Sequence, residues 1–264
     1  MLVDSHCHLD YLQRDGRDLN EVVAAAARAG VGTLVTICTK VTEFDTILGI
    51  AEAHENVWCS VGIHPHEAES EPELTAERLI ELAAHPKVVG IGETGLDYFY
   101  EHSPRDAQQK SFRAHITASR ETGLPLIVHT RDADEDTIAI LEDEMGKGAY
   151  PGVIHCFSSS QWLAERSVEM GMAISISGIL TFKKAEELRD AVAAVPVENL
   201  LVETDSPYLA PVPKRGKQNE PAFVVHTAER LAELKGLSGA ELARATTDNF
   251  FRLFSKTDRP ERAA

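Results

Sequence analysis

Short apolar runs alternate along the chain with longer segments in which apolar residues recur every three or four positions, the periodicities of strands and amphipathic helices. The runs predict strands at Leu2–His6, Thr33–Cys38, Trp58–Ile63, Val88–Ile91, Pro125–His129, Gly152–Cys156, Ala173–Ser177 and Leu200–Thr204. The intervening segments predict helices at Leu19–Ala29, Val41–His54, Ala76–His85, Ala133–Met145, Gln161–Met170, Lys183–Val195, Pro221–Lys235 and Gly239–Phe254. A further long helix is opened by Ser103-Pro104, an N-cap followed by an N1 proline, and closed by Gly123. Other ends are marked by Gly30, by Pro86 and by the capping box Ser238-x-x-Glu241.

Strand and helix alternating eight times predict a parallel sheet with right-handed crossovers, which closes most simply as a single (β/α)8 TIM barrel in the α/β class. The 264 residues match one such barrel, so residues 1–264 are expected to form one domain with a frayed polar tail from about 255 to 264. An open doubly wound sheet is the alternative fold. The first strand is not followed by a G-x-G-x-x-G turn, which weighs against a dinucleotide site.

Charge narrows the partners. Lys and Arg number 26 against 42 Asp and Glu, a formal net charge of −16 that repels nucleic acid and anionic membrane at long range. A phosphate substrate must therefore be captured locally. Cys7, Cys38, Cys59 and Cys156 lie far apart with no C-x-x-C pair, so buried reduced thiols are expected rather than a thiolate metal site. With no basic-then-apolar leader and no spanning-length apolar stretch, the reading is a cytoplasmic protein without a membrane partner, and no obligate protein partner is inferred.

The candidate chemistry sits where the strands end. His6 and His8 close the first strand, Glu93 follows the fourth, His129 and His155 close the fifth and sixth, and Asp205 follows the eighth. Strand parity sends His6 and His8 to one face and Cys7 to the other. Six nitrogen and oxygen donors at the C-terminal face of a barrel suit two divalent cations: His6, His8 and Asp205 for one, His129 and His155 for the other, and Glu93 as a bridge. Ions held this way lie roughly 3.5–4 Å apart and acidify a shared water, so a metal-bound hydroxide is the expected nucleophile. Asp205 is the candidate general base. Glu203, of the same parity, is expected one layer below as an orienting group.

The stretches Val3–Asp10 (VDSHCHLD), Gly62–His66 (GIHPH), Gly92–Tyr98 (GETGLDY), Val128–Arg131 (VHTR), Ile154–Phe157 (IHCF), Glu203–Tyr208 (ETDSPY) and Asn219-Glu220-Pro221 resemble the TatD family of metal-dependent deoxyribonucleases in the amidohydrolase superfamily. The resemblance spans nearly the whole chain. It implies the same six ligands, adds His64 as a substrate-facing or acid–base residue, and implies Mg, Mn or Zn as the metal and exonucleolytic cleavage of DNA, at single-stranded or frayed ends.

Sequence position alone suggests substrate contacts. Lys214, Arg215 and Lys217 follow the eighth strand in the same loop as Asn219 and are candidates for gripping the phosphate backbone. Tyr98, with Phe99 and Tyr100 beside it, is a candidate for stacking on an unpaired base. His54 and His85 end helices, and His115 and His226 fall mid-helix as packing or surface residues, while His66 and His102 lie in mouth loops without an assigned role. Two rivals stand beside the nuclease: a hydrolase of carbonyl esters or amides on the same binuclear centre, such as a D-aminoacyl-tRNA deacylase, and a non-catalytic protein with structural metal. The oxygen- and nitrogen-rich donor set disfavours the second, since structural zinc sites are closed and rich in cysteine.

Overall fold

The computed structural model describes residues 1–71 and 74–259. Eight strands pair in chain order into one parallel sheet: β1 (Leu2–Cys7), β2 (Val31–Thr36), β3 (Val57–Val61), β4 (Val88–Asp97), β5 (Leu126–Arg131), β6 (Gly152–Ile154), β7 (Ala173–Ile176) and β8 (Leu200–Val202). The two edges meet beyond β8. Cys7 forms a parallel bridge with Ser206, Asp205 N donates to His6 O at 2.9 Å, and His8 N donates to Ser206 O at 2.8 Å. The fold is a TIM barrel, and its seam is stitched by the residues that carry the first and last candidate ligands.

Helices α1 (Leu9–Arg14), α2 (Leu19–Arg28), α3 (Phe44–Ala53), α4 (Ala76–Ala83), α5 (Arg105–Thr122), α6 (Asp134–Met145), α7 (Gln161–Glu169), α8 (Glu186–Ala194), α9 (Val224–Lys235) and α10 (Gly239–Leu253) surround the sheet. Asp18 and Ser160 cap α2 and α7 through their side chains, and Ser238 and Glu241 form the expected capping box on α10. Ser103 does not cap α5. Its hydroxyl donates to His66 O at 2.7 Å and accepts from Glu69 N at 3.1 Å, tying the loop after β3 to the loop after β4. Short α1 was not legible as a helix, Val41–Glu43 forms a 3-10 turn, and α8 starts three residues later than expected, at Glu186.

Alternation along the strands divides the core. Residues such as Leu34, Val61, Ile91, Val128 and Ile176 face the helices, whereas Val3, Val35, Val89, Ile127, Val153 and Leu201 fill the barrel interior. Phe250 of α10 and Phe254, just after it, join that interior set and plug the barrel where the strands begin. Thr247 donates to Met1 O at 3.0 Å and Asn249 to Leu200 O at 2.9 Å, locking the plug to the starts of β1 and β8. The floor is closed, so a site can form only at the opposite mouth. Part of the tail expected to fray is anchored: Lys256 Nζ donates to Ala83 O and His85 O, and Thr257 is buried, while residues 260–264 lie outside those described. Among the described residues no helix is long and apolar enough to cross a membrane.

β4 departs most from expectation, running on to Asp97 instead of ending at Ile91. Glycine makes this possible. Gly92 (φ +135°) and Gly95 (φ +133°) press against β5 so closely that a Cβ would lie 2.6 Å from Ile127 O and 2.0 Å from His129 O. Glu93 thus rises from within a strand, deep in the mouth, rather than from a loop.

A candidate metal centre at the barrel mouth

Glu93 stands at the middle of a ring of histidines. Its Oε2 faces His6 Nε2 at 3.4 Å and His8 Nε2 at 3.9 Å, and Asp205 Oδ1 completes that side at 3.7 and 3.4 Å from the same two nitrogens. Its Oε1 faces His155 Nε2 at 2.7 Å, His129 Nδ1 at 3.2 Å and His64 Nε2 at 3.5 Å. The structure therefore brings all six sequence-predicted donors together, in two groups that share one carboxylate. The parity argument holds for β1, since His6 and His8 approach the same oxygens.

The donor chemistry fits divalent cations. Both ring nitrogens of His6 and Nδ1 of His8 are buried without a hydrogen-bond partner, a state that normally carries a desolvation cost. Imidazole nitrogens gathered around carboxylate oxygens at a largely buried site are what a borderline metal ion takes up.

Electrostatics couple the ring. Burial opposes ionisation of Glu93, but His155 and His64 outweigh it and hold the carboxyl well below the usual range. His155 is buried too, yet Glu93 and Glu203 push it well above the ordinary imidazole value. His64 goes the other way, with burial driving it well below. Burial lowers His6 as well, helped by His155, whose ring stacks on it at 3.9 Å.

Carboxylates stand behind the ring. Glu203 Oε1 accepts from Cys156 N at 2.7 Å and meets His155 Nδ1 at 3.3 Å. Asp97, which sequence reasoning missed, does the same for His129: its Oδ2 lies 3.2 Å from His129 Nε2 and 2.9 Å from His66 Nε2. Its Oδ1 meanwhile accepts from Phe99 N and Tyr100 N, both at 3.0 Å. The available signal was even spacing from Glu93, which is informative only if β4 continues beyond Ile91.

The cleft above the ring encloses about 670 Å3, within the range of ligand pockets. Its walls include Tyr11, Tyr100, Arg131 and Tyr208 beside the histidines. The expected substrate-binding residues do not face it. Lys214 lies over the Phe223 ring at 4.8 Å and Arg215 over Phe182 at 4.0 Å, on the outer surface, and Lys217 is exposed beside them. Asn219 is buried, donating to Thr204 O at 2.9 Å and Tyr208 O at 2.6 Å, so it braces the loop after β8. Tyr98 turns outward, its hydroxyl donating to Asp136 at 2.7 Å. These residues follow β4 and β8 in sequence but lie outside the cleft, because loop residues leave the mouth as readily as they enter it.

A sequence model described as TatD related DNase matches residues 3–255. The chain belongs to the TatD family of metal-dependent hydrolases. Among TatD-family relatives, the metal-dependent hydrolase YcfH of Escherichia coli K12 is 48% identical over 255 residues, covering 96% of this chain and 95% of its own length. A protein named 3'-5' ssDNA/RNA exonuclease TatD, from Escherichia fergusonii, is 36% identical over 244 residues, covering 90% and 93%. The solved TatD homologue YJJV of Escherichia coli K12 superposes with a TM-score of 0.85 at 30% identity, over 96% of this chain and 98% of that one.

Proposed function

We propose that the protein is a phosphodiesterase that shortens DNA from single-stranded or frayed ends, using two divalent cations. The observation that carries this reading is the division of the donors by Glu93: Oε2 meets His6 and His8, whereas Oε1 meets His129 and His155, with His64 beside them. His6, His8 and Asp205 would hold one ion, His129 and His155 the other, and Glu93 would join them. When bound, two such ions, whether Mg, Mn or Zn, supply Lewis acidity to a phosphoryl oxygen and acidify water at neutral pH. The name of the exonuclease relative supports nucleic acid as the substrate.

The chain's own residues do the rest. Asp205, kept below the usual carboxylate range by His8 and His6 against its burial, takes the proton of the attacking water. Glu203 accepts the Nδ1 proton of His155 and so leaves Nε2, on the side of Glu93, as the nitrogen that would take an ion. Asp97 plays the same part for His129, through its Nε2. His64 Nδ1 accepts from His66 N at 3.1 Å, which places the N–H of the neutral ring on Nε2, at the cleft, where it can donate a hydrogen bond to the leaving oxygen.

End-labelled DNA tests the reading. The metal-loaded protein should shorten single strands stepwise while leaving carboxylic esters and amides intact, and Asp205→Asn should lower the rate at least a hundredfold with an unchanged fold. Near wild-type cleavage by that variant would remove Asp205 as the base. Ester or amide turnover without DNA cleavage would replace the phosphodiesterase reading by a carbonyl hydrolase.

A further inference from the structure

The mouth has two unlike walls. After β8, Tyr208 is 54% exposed and follows Asp205 by three residues, its backbone N donating to Asp205 O at 3.0 Å. Its ring meets Tyr11 at 6.2 Å and His8 at 6.4 Å edge to face, and among the described residues no ring lies parallel to it. Leu209 and Ile179 extend the same wall. Asn219 fixes the loop from below by its bond to Tyr208 O. The result is an exposed, braced aromatic face beside the proposed reaction centre, with apolar neighbours.

In an eight-stranded ring, β4 and β5 lie across from β8 and β1, and that side carries Arg131. Among the described residues it is the single Lys or Arg lining the cleft. Its guanidinium lies 3.9 Å from the Phe99 ring centroid and 4.8 Å from that of Tyr100, and among the described residues it pairs with no carboxylate. Lys40, nearby, is already paired with Glu67 at 3.2 Å. A held, unpaired arginine in a cleft lined by Glu67, Glu93, Asp97 and Asp205, on a chain of net charge −16, is a local anion grip.

We infer that these walls form a nucleotide subsite, in which Tyr208 stacks on an unpaired nucleobase next to the cleaved phosphodiester and Arg131 holds a neighbouring phosphate. This rests on the phosphodiesterase reading and names the feature of its substrate that the cleft recognises. A base inside a duplex has both faces covered by its neighbours, so Tyr208 can be reached only by a base that is out of the stack. The subsite thereby selects single strands without reading sequence, since every base offers a π-face.

The test is equilibrium binding of metal-loaded protein to a fluorescein-labelled phosphorothioate hexanucleotide, which keeps bases and charge but resists hydrolysis. It is compared with hexamers made abasic at one position at a time. Wild type should lose roughly tenfold in affinity at one abasic position, as expected for one base–aromatic stack. Tyr208→Ala should erase that discrimination and Tyr208→Phe should keep it, with melting temperatures unchanged because the ring is exposed. Arg131→Ala should weaken all hexamers alike and flatten the slope of log affinity against log salt by about 0.7, one phosphate's share on a single strand. Discrimination that survives Tyr208→Ala, or an unchanged salt slope in Arg131→Ala, overturns the subsite. Cleavage of ordinary DNA is scored separately: cleavage without base discrimination sinks the subsite alone, and discrimination without cleavage sinks the phosphodiesterase alone.

Discussion

His115, in the middle of α5, is fully buried and joins the helix to the mouth. Its Nε2 accepts from Ile63 N at 2.9 Å, immediately before His64, and its Nδ1 lies 2.7 Å from Ser111 O. The ring must be neutral to accept that bond, and burial pushes its pKa down from 6.5 to about 4. An imidazole depressed in the folded state leaves the unfolded chain binding more protons between those two values. Stability is therefore complete above pH 6.5 and is lost as pH falls toward 4. A gap of that size corresponds to about 3 kcal/mol in total at 1.36 kcal/mol per unit, of which about 2 kcal/mol falls between pH 7 and pH 5. Glutamine can accept from Ile63 N and donate to Ser111 O but does not titrate. Urea unfolding of the chelator-treated protein should show wild type losing about 2 kcal/mol more than His115→Gln over that interval. A ring titration followed by NMR should have its midpoint below pH 5. Equal losses in the two proteins, or a midpoint at pH 6 or above, would refute the account.

Two further outcomes follow from the ring itself. Glu93→Gln keeps the shape of the shared side chain but removes its charge, so metal content by elemental analysis should fall by at least one ion per chain; unchanged occupancy would remove the bridging role. Asp97→Asn leaves His129 without its charged partner and should weaken metal affinity about 10- to 100-fold, the usual cost of losing a carboxylate behind a ligating histidine. If competition with a chelating dye shows wild-type affinity, Asp97 serves the Phe99–Tyr100 turn alone.

The barrel was legible because its strands and helices carry different periodicities, and the gathering of the six candidate donors because they recur at one end of those strands. What escaped depended on contacts that sequence spacing does not encode. Gly92 and Gly95 are poor strand formers in isolation, and only their close approach to β5 keeps β4 extended as far as Asp97. The capping motif at Ser103 was a sound local reading that lost to a tertiary bond with His66 O. The basic loop was credited with phosphate because it follows β8, yet its cations found aromatic faces on the outside, while Arg131, in a stretch read only as a ligand motif, lines the cleft.

The seam that joins β1 to the segment after β8 has a bearing on biosynthesis. His6 and His8 leave the ribosome long before Asp205, and the α10 plug that locks the starts of β1 and β8 to the floor comes later still. A nascent or prematurely terminated product therefore carries an open half-cup. The two halves of the candidate metal centre can meet only after the segment that follows β8 has been made.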